Sequence, residues 1–383
     1  MATRYLVLGA GKQGLAAGYD FARFGDAETV TIADANPRAA ETGAHRLNTL
    51  LNTSTVKPEN ADVTNVNNLR KLMRQSDVCL SAVPYYFNFD LSGLAIESQC
   101  HFCDLGGNTD IVWKQHGLND AAKRAGLTIA PDCGLAPGMA NILAAYGIRN
   151  INKPQGAYIR VGGLPQNPRP PLGYSLFFNI EGLTNEYFGK AQVLRGGEVT
   201  EVDTFTELEE MDFPAPIGRC EAFMTAGGTS TCPWTFAGQL QEYDEKTIRY
   251  PGHYEKMKTI HDLGLLDLKP VSIKEQSVVP RDVFHAVVTP LLKSEDPRDV
   301  VLLRVIITEE DGKITMDLID YYDETTGFSA MQRTTGFGAA MVGIMISKGE
   351  LPTGTVRIEE VVDGKKYLDE MTRRNLTVKI SES

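Results

Sequence analysis

The chain opens on an apolar run, Tyr5-Leu6-Val7-Leu8, that enters Gly9-Ala10-Gly11-Lys12-Gln13-Gly14, a G-x-G-x-x-G turn. Twenty positions past Gly14, a second apolar run, Val30-Thr31-Ile32-Ala33, ends in Asp34. Strand, glycine turn, helix (Leu15–Arg23) and a second strand tipped with a carboxylate together make a dinucleotide-binding unit. Gly9 permits the tight turn, Gly11 lets the backbone approach a pyrophosphate, and Gly14 lets helix and strand pack closely. The helix N-terminus offers unpaired N–H groups and partial positive charge to the phosphates. Ala10, Lys12 and Gln13 complete the phosphate loop. Asp34 is placed to accept hydrogen bonds from the adenosine ribose, and its charge repels a 2′-phosphate, so the expected cofactor is NAD rather than NADP. The nearest following cation, Arg38, lies four positions on.

The bulk numbers narrow the alternatives. The chain has 383 residues, enough for two domains by ordinary domain sizes. Hydrophobic content of 42% and charged content of 23% describe a globular protein, and a net charge of −11 disfavours nucleic acid or an anionic membrane as partner. Met1–Leu8 lacks a secretory h-region, so a cytoplasmic location is expected, with no membrane association. Six cysteines are scattered along the chain. Cys100 and Cys103 have C-x-x-C spacing, but no second pair completes a zinc shell, and buried reduced thiols with no metal are expected.

The first 130 residues alternate short apolar strands with helical stretches, the mark of a parallel sheet with crossover helices. The strands are expected at Tyr5–Leu8, Thr29–Ala33, Val78–Ala82, His101–Leu105 and Leu127–Ala130. Ligands of such sheets lie beyond the carboxyl ends of the strands. Asp62 and Val63 are therefore assigned to the adenine end, and Ala82, Val83, Pro84, Leu105, Gly106 and Gly107 to the nicotinamide end. The texture changes at the Gly/Pro joint 133–141. Beyond it, β-rich segments at Gly156–Val161, Leu172–Ile180, Thr247–Tyr250, Val300–Thr308 and Lys313–Tyr322 lack regular intervening helices. The expected fold is α/β: a Rossmann-type doubly wound parallel sheet (1–132), a sheet-rich α+β catalytic and dimerisation domain (133–327), and a C-terminal segment (328–383). That segment's glycine- and alanine-rich helix, Thr334–Ser347, is expected to return to the first domain.

Several segments carry a resemblance: Gly9–Gly14, Asp104-Leu105-Gly106-Gly107, Pro131–Met139, Val161–Pro165, Gly227–Thr231, Lys246–His253 and Tyr367–Met371. In order and spacing the chain resembles the saccharopine dehydrogenase superfamily along nearly its whole length, most closely the lysine 6-dehydrogenase branch. The resemblance implies an NAD-dependent oxidoreductase that deaminates the ε-amine of L-lysine to 2-aminoadipate 6-semialdehyde, which cyclises, with release of ammonia. It also implies a homodimer or higher homo-oligomer. Alternatives are a saccharopine or carboxylated-polyamine dehydrogenase, and a non-catalytic NAD-binding regulator. Basic residues at 160, 169, 195 and 219 are available as extra carboxylate clamps for a saccharopine-sized substrate.

The implied reaction sets requirements. Hydride leaves the amine carbon only when the nitrogen is neutral, and deprotonating a lysine ammonium at neutral pH costs roughly 4–5 kcal/mol. The amino-acid carboxylate needs an anchor, and arginine is its natural bidentate partner. On the resemblance, Arg249 is the candidate clamp, with Tyr250 beside it. Thr225, Gly228, Thr229 and Ser230 are candidates for a carboxylate nest, and Tyr174 and Glu181 for the substrate tunnel. Asp132, Asp104 and His253 are the candidate proton acceptors, the two aspartates being expected to face a gap between two lobes. Loop aspartates equally cap helices and turns.

Overall fold

The computed structural model describes residues 2–383 and divides into two compact units. The first gathers Met1–Arg149, Glu324–Phe328 and Gln332–Leu376; the second gathers Asn150–Asp323, Ser329–Met331 and Thr377–Ser383.

Strands β1 (Thr3–Leu8), β2 (Ala27–Asp34), β3 (Val56–Asn60), β4 (Val78–Ser81), β5 (His101–Asp104) and β6 (Thr128–Ala130) build the first unit's sheet. All pair in parallel, in the order β3-β2-β1-β4-β5-β6, with Gly354–Thr355 added beyond β6. Every strand expected in the first 130 residues falls on one of these. The exception in the other direction is β3, whose sequence Val-Lys-Pro-Glu-Asn has a single buried residue. It is an edge strand, the one place in a sheet that tolerates proline. The central strands are apolar on both faces because helices cover both sides.

Helix α1 (Lys12–Phe24) crosses from β1 to β2. Against it lies the expected glycine-rich helix, which begins as a π turn (Arg333–Phe337) and continues as Gly338–Ser347. Its glycines are there for close approach. A Cβ at Gly336 would fall 2.6 Å from the Ala16 side chain, and one at Gly343 would fall 2.8 Å from the Phe21 ring.

The compact units are bounded differently from the expected domains. The first unit runs on to Arg149, taking in nearly all of the buried helix Met139–Asn150, instead of stopping at 132. The last residues also depart from the expected arrangement. Val378–Glu382 pairs with Lys313–Tyr321 in the second unit's sheet.

That sheet has nine strands among the described residues. It contains β7 (Gly156–Pro165), β8 (Lys190–Arg195), β9 (Glu198–Asp203), β10 (Glu209–Phe213), β11 (Gly218–Met224) and β12 (Glu242–Arg249). The strand Asp299–Thr308 pairs with β7 and with Lys313–Tyr321. The pairing is mixed: β12 runs parallel to β7 and antiparallel to β11. Leu172–Ile180, expected as a strand, forms none. Its entry, Pro168-Arg169-Pro170-Pro171-Leu172-Gly173, lacks three amide donors and ends in a glycine at φ +61°, which no ladder accommodates. Two helices not anticipated, His253–Asp262 and Pro280–Leu292, contribute Met257, Phe284 and Leu292 to a core with Tyr174, Tyr187, Phe205 and Phe223.

One ion pair is buried within the first unit. Arg374 Nε lies 2.5 and 2.8 Å from the two Asp20 oxygens, and Nη1 lies 2.6 Å from Glu370. Burial raises the Asp20 carboxyl to about 6 despite this partner. Asp20→Ala should lower unfolding free energy by about 3 kcal/mol, because it strands a buried guanidinium with one carboxylate instead of two. Urea unfolding measures this, and a loss below about 1 kcal/mol would show the pair contributes no more than a surface one.

Candidate functional site

In the first unit the glycine turn has the geometry a pyrophosphate requires. Gly9 sits at φ +102°, and its Cβ would lie 2.9 Å from the Ala82 carbonyl oxygen. A Cβ at Gly14 would lie 1.9 Å from the Gly9 carbonyl, so only glycine lets α1 start this close to β1. At Gly11 an added Cβ meets nothing within 4 Å. Gly11 is the N-cap of α1 and supplies no side-chain cap, so the first-turn amides of Lys12, Gln13 and Gly14 are open to a ligand. The residues fit a dinucleotide.

Asp34, at the end of β2, accepts from the Ala10 amide at 2.7 Å and the Asn36 amide at 2.8 Å, one on each oxygen. These bonds fix the carboxylate beside the turn. Asp62 spends Oδ1 on the amide and hydroxyl of Thr64, at 2.8 and 2.7 Å, which lowers its pKa; Val63 packs on the core. The Ala82 amide donates to Leu8, placing Ala82-Val83-Pro84 at the tips of β1 and β4.

Two of the three expected proton acceptors organise the neighbouring loop. Asp104 is fully buried; it accepts from Gly106 N (2.8 Å), Asp132 N (3.2 Å) and Gln115 Nε2 (2.7 Å), and burial raises it to about 6. With both oxygens engaged internally and no exposed surface, it holds the Leu105–Gly107 turn. Asp132 is also buried, at φ +60°, and a Cβ on Gly106 would fall 1.8 Å from its Oδ1. Gly106 and Gly107 have φ of +73° and +118°, so glycine is needed at both.

In the second unit, β12 carries the candidate clamp. Strand side chains alternate, so Tyr243, Glu245, Thr247 and Arg249 share one face, while Asp244 and Lys246 point to the other. On that other face Asp244 takes Arg160 Nη1 at 2.6 Å and Lys246 takes Glu209 at 2.9 Å. Arg249 is only 3% exposed. Its Nε donates to Tyr187 Oη at 2.7 Å, its Nη1 to the Ile248 carbonyl at 2.9 Å, and its Nη2 lies 3.6 Å from Glu186. The guanidinium also sits 4.8 Å from the Tyr174 ring centre, a cation–π distance.

His253 stands behind this arrangement. Its Nδ1 is 3.0 Å from the Leu172 carbonyl, which can only accept, so Nδ1 carries the proton and Nε2 accepts from Tyr187 Oη at 2.9 Å. The order is Arg249 to Tyr187 to His253 to Leu172. Burial, then the Arg249 charge, lowers His253 to about 3. It is a positioning group two bonds removed from the clamp, not a proton acceptor.

The remaining assignments divide. Glu181 lies on the surface with its Oε1 3.2 Å from His285, so it lines no tunnel; Glu186, five residues on, approaches Arg249 instead. Tyr250 Oη donates to the Pro165 carbonyl and braces β7. Tyr174 is buried with its hydroxyl lacking any hydrogen-bond partner. Thr225 Oγ1 bonds Thr247 at 2.8 Å and Glu245 at 3.3 Å. Thr229 donates to the Gln192 carbonyl, and Ser230 takes φ +50° in the same turn. The turn is no nest for an incoming carboxylate: a Cβ on Gly228 would fall 2.4 Å from Glu245 Oε2, so an internal acid already faces it.

Glu245, Glu186 and Tyr187 were not anticipated. The alternation of β12 would have placed Glu245 with Arg249, but the run Glu-Tyr-Asp-Glu-Lys reads as a solvated charged segment. Burial of Glu245, with repulsion from Glu186 next, raises its carboxyl to about 8. Cys100 and Cys103 are buried and unpaired.

A nucleotide-binding parallel sheet joined to a mixed-sheet unit with a buried arginine defines a two-domain protein of the pyridine-nucleotide type. Residues 5–130 match the family model described as saccharopine dehydrogenase NADP binding domain, and residues 134–376 match the saccharopine dehydrogenase C-terminal domain. The chain belongs to the saccharopine dehydrogenase family. Over 254 residues it is 25% identical to saccharopine dehydrogenase [NADP(+), L-glutamate-forming] of Pyricularia oryzae, covering 64% of this chain and 55% of that protein. It is 27% identical to alpha-aminoadipic semialdehyde synthase of Arabidopsis thaliana over 63% of this chain and 23% of that one. The chain thus spans about half the length of its fungal relatives. The apo structure of the L-Glu-forming saccharopine dehydrogenase from Saccharomyces cerevisiae superposes with a TM-score of 0.78 at 20% identity over the whole of both chains, establishing the fold. No helix is long and apolar enough to cross a membrane among the described residues.

His253 gives a stability test. Its folded pKa, about 3, lies below an unfolded value near 6.5. The unfolded chain therefore binds the extra proton between those values, and stability falls as pH drops through this window. Going from pH 7 to 5 this group should cost about 2 kcal/mol, and His253→Gln should flatten that part of the decline. An equally steep decline in the variant would show that His253 is charged in the folded protein.

Proposed function

We propose that this protein is an NAD-dependent oxidoreductase that takes hydride from the amine-bearing carbon of an amino acid, with the ε-carbon of L-lysine as the site of oxidation. The product is then 2-aminoadipate 6-semialdehyde and ammonia. The observation that carries this reading is the row on one face of β12: a cation, Arg249, and an acid, Glu245, at i and i−4, spanning about 13 Å of strand. Such a row suits a substrate with a carboxylate at one end and an ammonium at the other. Glu186 approaches Arg249 only loosely, at 3.6 Å, so an incoming carboxylate can replace it at the fork. The Tyr187–His253 chain holds the guanidinium plane meanwhile.

When bound, the nicotinamide supplies the hydride acceptor. Asp34 supports NAD over NADP, since a 2′-phosphate would meet a carboxylate already fixed by two amides.

The relatives' names favour a second reading, oxidation of saccharopine. That substrate carries more carboxylates and calls for more cations. Of the four candidate clamps, Arg160 is bound to Glu209 and Asp244, Arg195 to Glu207, Glu242 and Asp244, and Arg219 to Glu210 and Asp212. Arg169 is exposed. Three of the four are already neutralised, which supports the smaller, singly anchored substrate.

The test is turnover of L-lysine and of saccharopine with NAD and with NADP, read by the absorbance of reduced nicotinamide. Lysine turnover with NAD supports the proposal; turnover of saccharopine alone replaces it with the second reading. Arg249→Ala should raise the KM for the amino acid by about 30-fold or more with little change for NAD. An NAD-side defect alone would reassign the residue. Asp34→Ala should weaken NAD binding and narrow its advantage over NADP, and unchanged affinity for both would place the ribose elsewhere.

A further inference from the structure

An amine is oxidised only after its nitrogen has lost a proton; of the three candidate acceptors, Asp104 and His253 are taken up by internal hydrogen bonds, and Asp132 is buried with its Oδ1 directly against the Gly106 backbone of the first unit. We propose that Glu245 accepts the proton from the substrate ammonium, with Glu186 as its outlet to solvent. This rests on the reading of the protein as an amine-oxidising dehydrogenase.

The geometry brings the needed parts to one place. Glu245 is 3% exposed, shares its strand face with Thr247 and Arg249, and accepts from Thr225 Oγ1. The next residue's amide, Ala226 N, donates to the Glu186 carbonyl at 2.8 Å, which ties the end of the helix Ile180–Glu186 to the same loop. About a third of the Glu186 side chain is open, 32% against 3% for Arg249. A buried acid beside a more open one gives an acceptor with a route out. A second observation points to a ligand at the Arg249 end of this face: the Tyr174 hydroxyl, 5% exposed, has no partner, and its ring lies against Arg249. A buried donor without an acceptor marks a position for a polar group of a bound molecule.

The charged groups around Glu245 are Glu186 from its helix, Arg160 from β7 and Asp244 from β12. Burial and Glu186 push the carboxyl up, Arg160 opposes them, and the net position near 8 is close to where a general base works best at neutral pH. Around Glu186, burial raises the carboxyl and Arg249 lowers it. In the step, an N–H bond of the ammonium breaks with its electron pair left on nitrogen, and an O–H bond forms on Glu245. The proton passes to Glu186 and to water. The nitrogen lone pair is then free to assist loss of hydride from the adjacent carbon, for which a bound oxidised pyridine nucleotide would supply the acceptor, and the resulting iminium would take up water and release ammonia.

The experiment is the pH profile of kcat/KM with L-lysine, and with saccharopine as the alternative probe, for the wild type, E245Q and E186Q. In the wild type, activity should rise through about pH 8, because the acceptor must be ionised. E245Q should lose that limb and fall about 100-fold or more, with NADH binding by fluorescence unchanged. E186Q should move the limb to lower pH, since a repelling carboxylate is gone. E245Q keeping a wild-type limb, within about threefold of wild-type rate, overturns the inference and leaves the dehydrogenase reading intact. Turnover of neither amine by the wild type overturns both. If circular dichroism shows E245Q unfolded, E186Q decides, and a limb that does not move overturns the inference.

Discussion

A guanidinium buried at the end of β12 constrains the second unit more than any other group. Leaving it unpaired in that interior would cost several kcal/mol, and the surrounding elements are arranged to offset this. Tyr187 comes from the end of the helix Ile180–Glu186, Tyr174 from the loop after β7, and His253 from the first turn of the next helix. Each contributes a hydrogen bond or a ring face to a single charge or to its neighbour. The same packing makes His253 neutral, because a proton there would be buried and would face Arg249. The one acid beside this cation, Glu186, stands off at 3.6 Å, and it is this loosely held place that the proposed substrate carboxylate would take.

The first unit shows the complementary logic. Its binding surface consists of backbone, and side chains serve to shape it. Gly9 and Gly14 are where Cβ atoms would collide, Gly11 is where nothing stands, and Asp104 and Asp34 spend their oxygens on holding turns. Burial of Asp104 beneath Gly106 is a support for the loop, which explains why an aspartate at a strand tip is not by itself a catalytic group.

The legibility of the sequence differed between the units for a physical reason. Parallel strands covered on both faces are continuous apolar runs, so Tyr5–Leu8 or Val78–Ser81 declare themselves, as does a turn that only glycine can make. The second sheet hides its pattern. Strand β12 is interior yet reads Glu-Tyr-Asp-Glu-Lys-Thr-Ile-Arg, because its charges are neutralised across strands by Arg160 and Glu209, which lie far away in sequence. Arg249 was visible through its motif, whereas Glu245 and Glu186 acquire meaning only when β12 and the helix Ile180–Glu186 are seen to meet at the Thr225–Ala226 loop. Leu172–Ile180 misled for the opposite reason: it is apolar because it packs into a core, while the prolines just before it, at 168, 170 and 171, and Gly173 keep it out of a ladder.

Neither unit is a continuous stretch of chain, and this bears on how the protein is made. Each consists of three segments, and both the glycine-rich helix that closes on α1 and the strand Val378–Glu382 lie in the last fifty or so residues. During vectorial synthesis the nucleotide-binding sheet therefore emerges early without its covering helix, and the second sheet waits longer still for its edge. Cutting the chain between residues 149 and 324 separates the first unit from its glycine-rich helix and the second from its edge strand or part of its sheet, so the two halves of the sequence do not correspond to the two units.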